Sequence, residues 1–496
     1  MLLLAAAAFV CYGGTRMTRL GFYHDDWAIL SLLHFSPPDL PSRCAALTRG
    51  ITSLLFRPLE IPLYAGLYAL FGLNPLPWQL ALLGVNAALA AGVRRLLLAY
   101  GVSARLALLG ALVFLAFPSK DATMFWPIVI VNSLALLMFL SAYLLHLDYV
   151  KTGRPMSLGG AAALLLLCLA TYDQCFFLAA LWAVAPGPLN AEARARRRRG
   201  ATVGACVTAA FAVYKFWIVP QVFSVPYNKT IVLSAARFLS VYRDGLAASL
   251  GPATAAYAAK AAWSALRLSP LVAAAAIILP WLLLAEDDPD AAPPAGRPLI
   301  GLGIGIFVLG YLPIAVSNYI PTPFNHMNRI NQVPALGLVL AAVGASARGK
   351  RRTWPAVLGC ALAALLLSAH VAFADAWARS YQEQLRVRDL IISQARQWPA
   401  GATLLLLMPE TFIEGKAPIF LEHWDITGAA RIWTEDPART ADVITERTDF
   451  FPEGVALRPG SPRLPYASVR LLETRRGLFT PVGFHDFQRV RYRTSP

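Results

Sequence analysis

The sequence predicts an all-α polytopic membrane domain followed by a small soluble α/β domain, and three observations carry that expectation. Hydrophobic residues make up 57% of the 496 and charged residues only 15%, with a mean hydropathy of +0.53, well above the balance of a soluble chain. Apolar runs recur up to residue 374, separated by short segments rich in arginine. After Ala374 the composition becomes that of an ordinary soluble domain. The division therefore falls into 1–374 and 375–496.

The first apolar stretch, Leu2 to Tyr12, has no basic segment ahead of it and no clean small-residue cleavage site behind it. It reads as a spanning helix rather than a signal peptide. Further spans are expected near 76–93, 105–117, 127–148, 157–171, 174–186, 201–219, 268–285, 299–317, 332–347 and 354–374, about eleven in all, several of them tight for a bilayer that asks for roughly 20 apolar residues. Arg57 to Phe71 is also apolar, but it opens on Arg-Pro and contains Glu60 and Pro62; an interfacial helix fits it better.

Threading these spans from a cytoplasmic N-terminus puts the basic loops at Arg94–Arg105, Lys151–Arg154, Arg194–Arg199, Glu286–Arg297 and Arg348–Arg352 on the cytoplasmic side. The opposite side receives 15–75, the short loops 118–126 and 172–174, the longer loop 220–267, the loop 318–331 and everything after Asp375. The expected location is thus the plasma (inner) membrane, with the soluble domain extracytoplasmic. The net charge of +16 is a topology signal, and nucleic acid is excluded as a partner. Of the six cysteines, all but Cys44 sit in apolar runs and none forms a CxxC pair, so no disulfide framework or zinc site is implied. In the soluble domain an amphipathic helix is expected over Asp375–Trp398, a buried strand over Ala402–Met408, and further strands near Ala441–Thr445 and Ser468–Leu472.

The informative chemistry is Gly21-Phe-Tyr-His-Asp-Asp-Trp27. Two adjacent carboxylates beside a histidine, flanked by aromatics at a membrane surface, are costly and tend to be functional. Asp25 and Asp26 also suit the first turn of a helix from Trp27 to His34. The same threading brings Arg57, Lys120, Asp121, Asp173, Asn325, His326, Asn328 and Arg329 to that side. Each has a plain explanation as a snorkelling cation or a turn residue. Together they suit a substrate with an anionic head and a lipid tail.

This pattern resembles the glycosyltransferase C (GT-C) superfamily of polytopic enzymes that use polyprenyl-phosphate sugars, especially bacterial relatives of the transmembrane and tetratricopeptide O-mannosyltransferases. The resemblance runs in order through His24-Asp25-Asp26-Trp27, Phe56-Arg57-Pro58-Leu59, Leu70-Phe71-Gly72-Leu73-Asn74-Pro75, Phe117-Pro118 with Lys120-Asp121 and Trp126, and Asn328-Arg329 with Val333-Pro334-Ala335-Leu336-Gly337. Two departures stand out: Tyr172-Asp173 replaces the Lys-Glu common in relatives, and no tetratricopeptide helices follow. The resemblance implies transfer of a sugar from a polyprenyl-phosphate donor to a hydroxyl of a glycan, lipid or protein acceptor, with inversion. Asp25 or Asp26 would be the catalytic base. His24, Arg57, Lys120, Asp121, Asp173, Asn325, His326 and Arg329 would bind substrate, with Arg329 foremost on the lipid phosphate. No cofactor is implied, and a divalent metal, used by some members, is not required. A transporter or flippase of lipid-linked glycans is the alternative, but it would show internal repeats and mid-span charges, and this sequence shows neither clearly.

Overall fold

The computed structural model describes residues 2–184, 190–225, 231–282, 296–348, 353–445, 447–459, 461–475 and 477–481. It divides into two compact units, the first comprising Met1–Thr18, Ile51–Leu63 and Leu76–Asp375, the second Arg19–Gly50, Tyr64–Pro75 and Ala376–Pro496. The segment bearing the paired carboxylates, assigned by sequence to the membrane domain, is thus gathered with the residues after Asp375.

Among the described residues five helices are long and apolar enough to cross a bilayer: Pro75–Ala99, Pro127–Thr152, Ala191–Val222, Gly296–Ala315 and Ala356–Gln397. The chain is a multi-pass membrane protein. Six of the expected spans are shorter. Leu2–Cys11, Ala104–Leu115, Pro155–Thr171, Asp173–Ala183 and Pro270–Trp281 are shorter apolar elements, and Gln332–Ser346 has 15 residues. At 1.5 Å per residue such helices fall short of a hydrocarbon core of about 30 Å. Over its described residues the expected span 174–186 holds two 3₁₀ segments, Asp173–Cys175 and Leu178–Ala183, in place of an α-helix. The expected loop 220–267 holds the helices Ala235–Leu250 and Pro252–Leu268. Their alanines have the highest helix propensity, and Val241, Ala248, Ala258 and Ala265 are buried. Most of the loop expected at Glu286–Arg297, and residues 349–352 of the Arg348–Arg352 cluster, lie outside the described residues.

Local chemistry sets the helix ends. Gly153 closes Ile130–Thr152 in the left-handed conformation at φ 75, and Pro155 opens the next helix at its first position. Asn190 caps the arginine-rich helix Ala191–Val213 through the Ala193 N–H at 2.8 Å. Two helices of the first unit cross on glycine: a Cβ placed on Gly303 would lie 2.5 Å from the Gly337 carbonyl oxygen, and one on Gly337 would lie 2.5 Å from that of Gly303. Gly296 opposes Gly344 in the same way, and Gly310 makes room for the Val333 side chain, so the antiparallel helices Gly296–Ala315 and Gln332–Ser346 meet backbone to backbone at the two glycine pairs.

Among its described residues the second unit holds eight strands, β1 (Thr403–Leu407), β2 (Phe412–Ile413), β3 (Ala417–Pro418), β4 (Thr440–Val443), β5 (Asp449–Phe451), β6 (Gly454–Ala456), β7 (Val469–Glu473) and β8 (Leu478–Pro481). Four of them form a sheet of order β4-β1-β7-β8. β1 runs parallel to β4 and β7, in register Leu405 with Asp442 and with Leu471; β8 returns antiparallel. The inner place of β1 explains its unbroken leucine run, because both faces are covered. Leu405, Val455, Val469 and Leu471 make one core cluster. Between β3 and β4 lies the helix His423–Thr434, held at its start by a capping box in which Glu422 and Asp425 satisfy each other's backbone N–H groups. This helix packs on the helix Asp25–His34. Contact is so close that a Cβ on Gly428 would sit 2.3 Å from the Trp27 carbonyl oxygen, so glycine is required there. Trp27 itself is buried, donating its indole N–H to Gln384 at 2.8 Å and meeting the Trp433 ring at 5.3 Å.

Candidate active site

In the second unit, His24, Asp25 and Asp26 open the helix Asp25–His34. His24 precedes it with φ 45, a left-handed conformation that costs a non-glycine residue about 1–3 kcal/mol and persists only where its surroundings hold it. The two adjacent carboxylates have different surroundings. Asp26 is buried and turns back on the chain, accepting the Tyr23 backbone N–H at 2.6 Å. Asp25 leaves 42% of its side chain exposed, and its Oδ1 accepts the indole N–H of Trp424 at 2.9 Å.

His24 bridges to a third carboxylate. Its Nδ1 lies 3.1 Å from Asp425 Oδ2, and its Nε2 lies 3.6 Å from Asp25 Oδ1. Asp425 is fully buried. Its burial is tolerated because the backbone N–H groups of Leu421, Glu422 and Ile426 all donate to it. On the same helix Glu422 pairs with Arg458 at 2.8 Å, whose guanidinium lies 5.5 Å from the Trp424 ring. Burial, reinforced by Asp425 and Glu422 against the pull of Arg458 and the Val443 N–H, pushes the Asp442 carboxyl up to about 6. Burial, helped by Arg458, pushes His423 below its usual range.

In the first unit two loops interlock. Asn328 donates to Asp121 and accepts the Ala122 N–H at 3.1 Å. Asn331, fully buried, donates to the Ser119 and Thr322 carbonyls, each at 2.8 Å, and accepts the Tyr311 hydroxyl at 2.9 Å. Asn325, with φ 68, caps the following turn through the Met327 N–H at 2.8 Å. Arg329 is half-buried: one N–H donates to the His326 carbonyl at 2.8 Å, and its guanidinium carbon lies 5.1 Å from the Trp126 ring centre. The His326 ring packs on Trp126 as well, at 6.0 Å. Among the described residues Arg329 has no carboxylate partner. Lys120 turns inward, donating to the Leu115 carbonyl at 3.0 Å and so satisfying the end of the helix Ala104–Leu115.

A second neighbourhood of this unit holds Arg57 and Asp173. Arg57 pairs with the buried Glu60 at 3.0 Å and lies 5.5 Å from the Tyr172 ring centre. Asp173 forms an ion pair with Lys215. Lys215 is buried in a π-turn, Tyr214–Ile218, an irregularity often found at functional sites. Tyr172, Asp173 and Lys215 border a cleft of about 150 Å³ with Phe176, Phe177, Phe216 and Ile314 on its walls. Gln174 donates to the Ile330 carbonyl and joins this neighbourhood to the loop of Arg329.

Sequence reasoning missed Trp424, Asp425 and Lys215. Glu422-His-Trp-Asp425 offers only a capping signal, and Lys215 lies inside an apolar run. No family model and no curated protein matches the sequence. Among solved structures the chain is similar to the crystal structure of ArnT from Cupriavidus metallidurans bound to undecaprenyl phosphate, with 12% identity, a TM-score of 0.44, and 90% of this chain and 86% of that one covered.

Proposed function

We propose that this protein is a membrane glycosyltransferase of the GT-C type, moving a hexose or pentose from a polyprenyl-phosphate donor to an acceptor hydroxyl on the extracytoplasmic face. The observation that carries this reading is the asymmetry of the acid pair: Asp26 is buried in a backbone cap, whereas Asp25 is partly exposed and held by one oxygen. A general base needs an accessible, oriented carboxylate. In the proposed step the acceptor hydroxyl gives its proton to Asp25 as its oxygen bonds to the anomeric carbon. The bond from that carbon to the phosphate oxygen breaks, and the electron pair leaves on the lipid phosphate. One displacement inverts the anomeric centre. Arg329 is the foremost candidate to meet the charge growing on the phosphate, with Arg57 and His326 after it. Lys120, already bonded to a helix carbonyl, comes last. The donor carries no diphosphate, so the step requires no divalent cation.

Full-length protein in detergent, given a synthetic polyprenyl-phosphate sugar and a cell-envelope glycan extract, should transfer the sugar. Movement of that lipid across a proteoliposome bilayer without transfer would establish the flippase instead. The orientation is tested with an impermeant thiol reagent on a cysteine-free background carrying Thr440→Cys, an exposed position of β4. Labelling in intact cells is expected; labelling only after the membrane is opened would reverse the topology.

A further inference from the structure

We propose that the soluble domain completes the base: Trp424 and Asp425, at the start of the helix His423–Thr434, are positioning residues for Asp25. This rests on the reading of Asp25 as the base. The indole N–H fixes Asp25 Oδ1 at 2.9 Å, while Oδ2 accepts no hydrogen bond among the described residues and is left for the acceptor proton. Asp425 orients His24, which occupies a strained backbone conformation and brings its other nitrogen to 3.6 Å from the same Oδ1. A carboxylate with one oxygen pinned by a neutral donor, on a side chain 42% exposed, is preorganised for proton abstraction without being neutralised. The capping role of Asp425 alone does not explain these contacts, because a capping box needs neither an imidazole nor an indole.

Removing the indole N–H in Trp424→Phe, which keeps an aromatic ring, should lower turnover about tenfold to a hundredfold with KM within about twofold. Asp425→Asn should also lower turnover. Glu422→Gln, which weakens the same cap without touching His24, should leave turnover close to parental. The assay uses full-length protein in nanodiscs with a synthetic polyprenyl-phosphate sugar. A second readout needs no turnover: the ¹⁵N-indole signal lost in Trp424→Phe should move in Asp25→Asn. A Trp424→Phe protein with parental turnover, or an indole signal insensitive to Asp25, overturns the proposal. A parent inactive on every donor would instead remove the glycosyltransferase reading, and the indole signal would still decide the pairing.

Discussion

Asp25→Asn should all but abolish sugar transfer while leaving expression and donor binding intact. The amide keeps the shape of the side chain and can still accept the Trp424 indole N–H on its oxygen, so what disappears is basicity. General-base catalysis is commonly worth about 10²–10⁴ in rate, and the loss should fall on turnover. Asp26→Asn should do much less. It accepts the Tyr23 backbone N–H, which an amide oxygen also satisfies, so a loss from that bond well under the roughly 1 kcal/mol of a full deletion is expected. Turnover and donor affinity measured separately for both variants decide the matter. If both retain parental turnover, neither aspartate is the base and the pair is structural.

Arg329→Ala should lower catalytic efficiency by about tenfold to a few hundredfold, the equivalent of a charge-assisted hydrogen bond of roughly 1.5–3 kcal/mol. Arg329→Lys should restore only part of that loss. A guanidinium offers two parallel donors to two phosphate oxygens, whereas an ammonium is a point charge, and the flat face on Trp126 suits the planar group alone. Because phosphate charge grows as the sugar departs, turnover should suffer more than donor affinity. An Ala variant with parental turnover and affinity would remove Arg329 from the site.

The architecture was legible in the sequence where burial leaves a strong compositional mark. The run Ala402–Met408 reads as an inner strand because β1 is covered on both faces, and the segment Asp375–Trp398 reads as a helix because it continues Thr353–Gln394. Legibility failed where charges interrupt an amphipathic segment. The helices Ala235–Leu250 and Pro252–Leu268 carry Arg237, Arg243, Asp244, Lys260 and Arg267, so they lack the long apolar run that marks a span. The 3₁₀ segments after Asp173 share the composition of a span, and composition does not report helix type. At the site, the residue types of the His24-Asp25-Asp26 motif were visible, but their division of labour was not, because it depends on Trp424, 399 positions away. Lys215 was hidden in the same way: its partner Asp173 is what makes a buried lysine affordable.

The glycine crossing of Gly296–Ala315 with Gln332–Ser346 has a thermodynamic consequence for the loop they bracket. Two helices joined backbone to backbone form a stiff hairpin, and buried Asn328 and Asn331 fasten its tip to a neighbouring loop. An anion that binds at Arg329 therefore does not have to order the chain that carries the arginine. The usual entropic penalty of loop ordering is already met during folding, so association there should show only a small unfavourable conformational entropy, and a rate governed by diffusion of the ligand along the membrane.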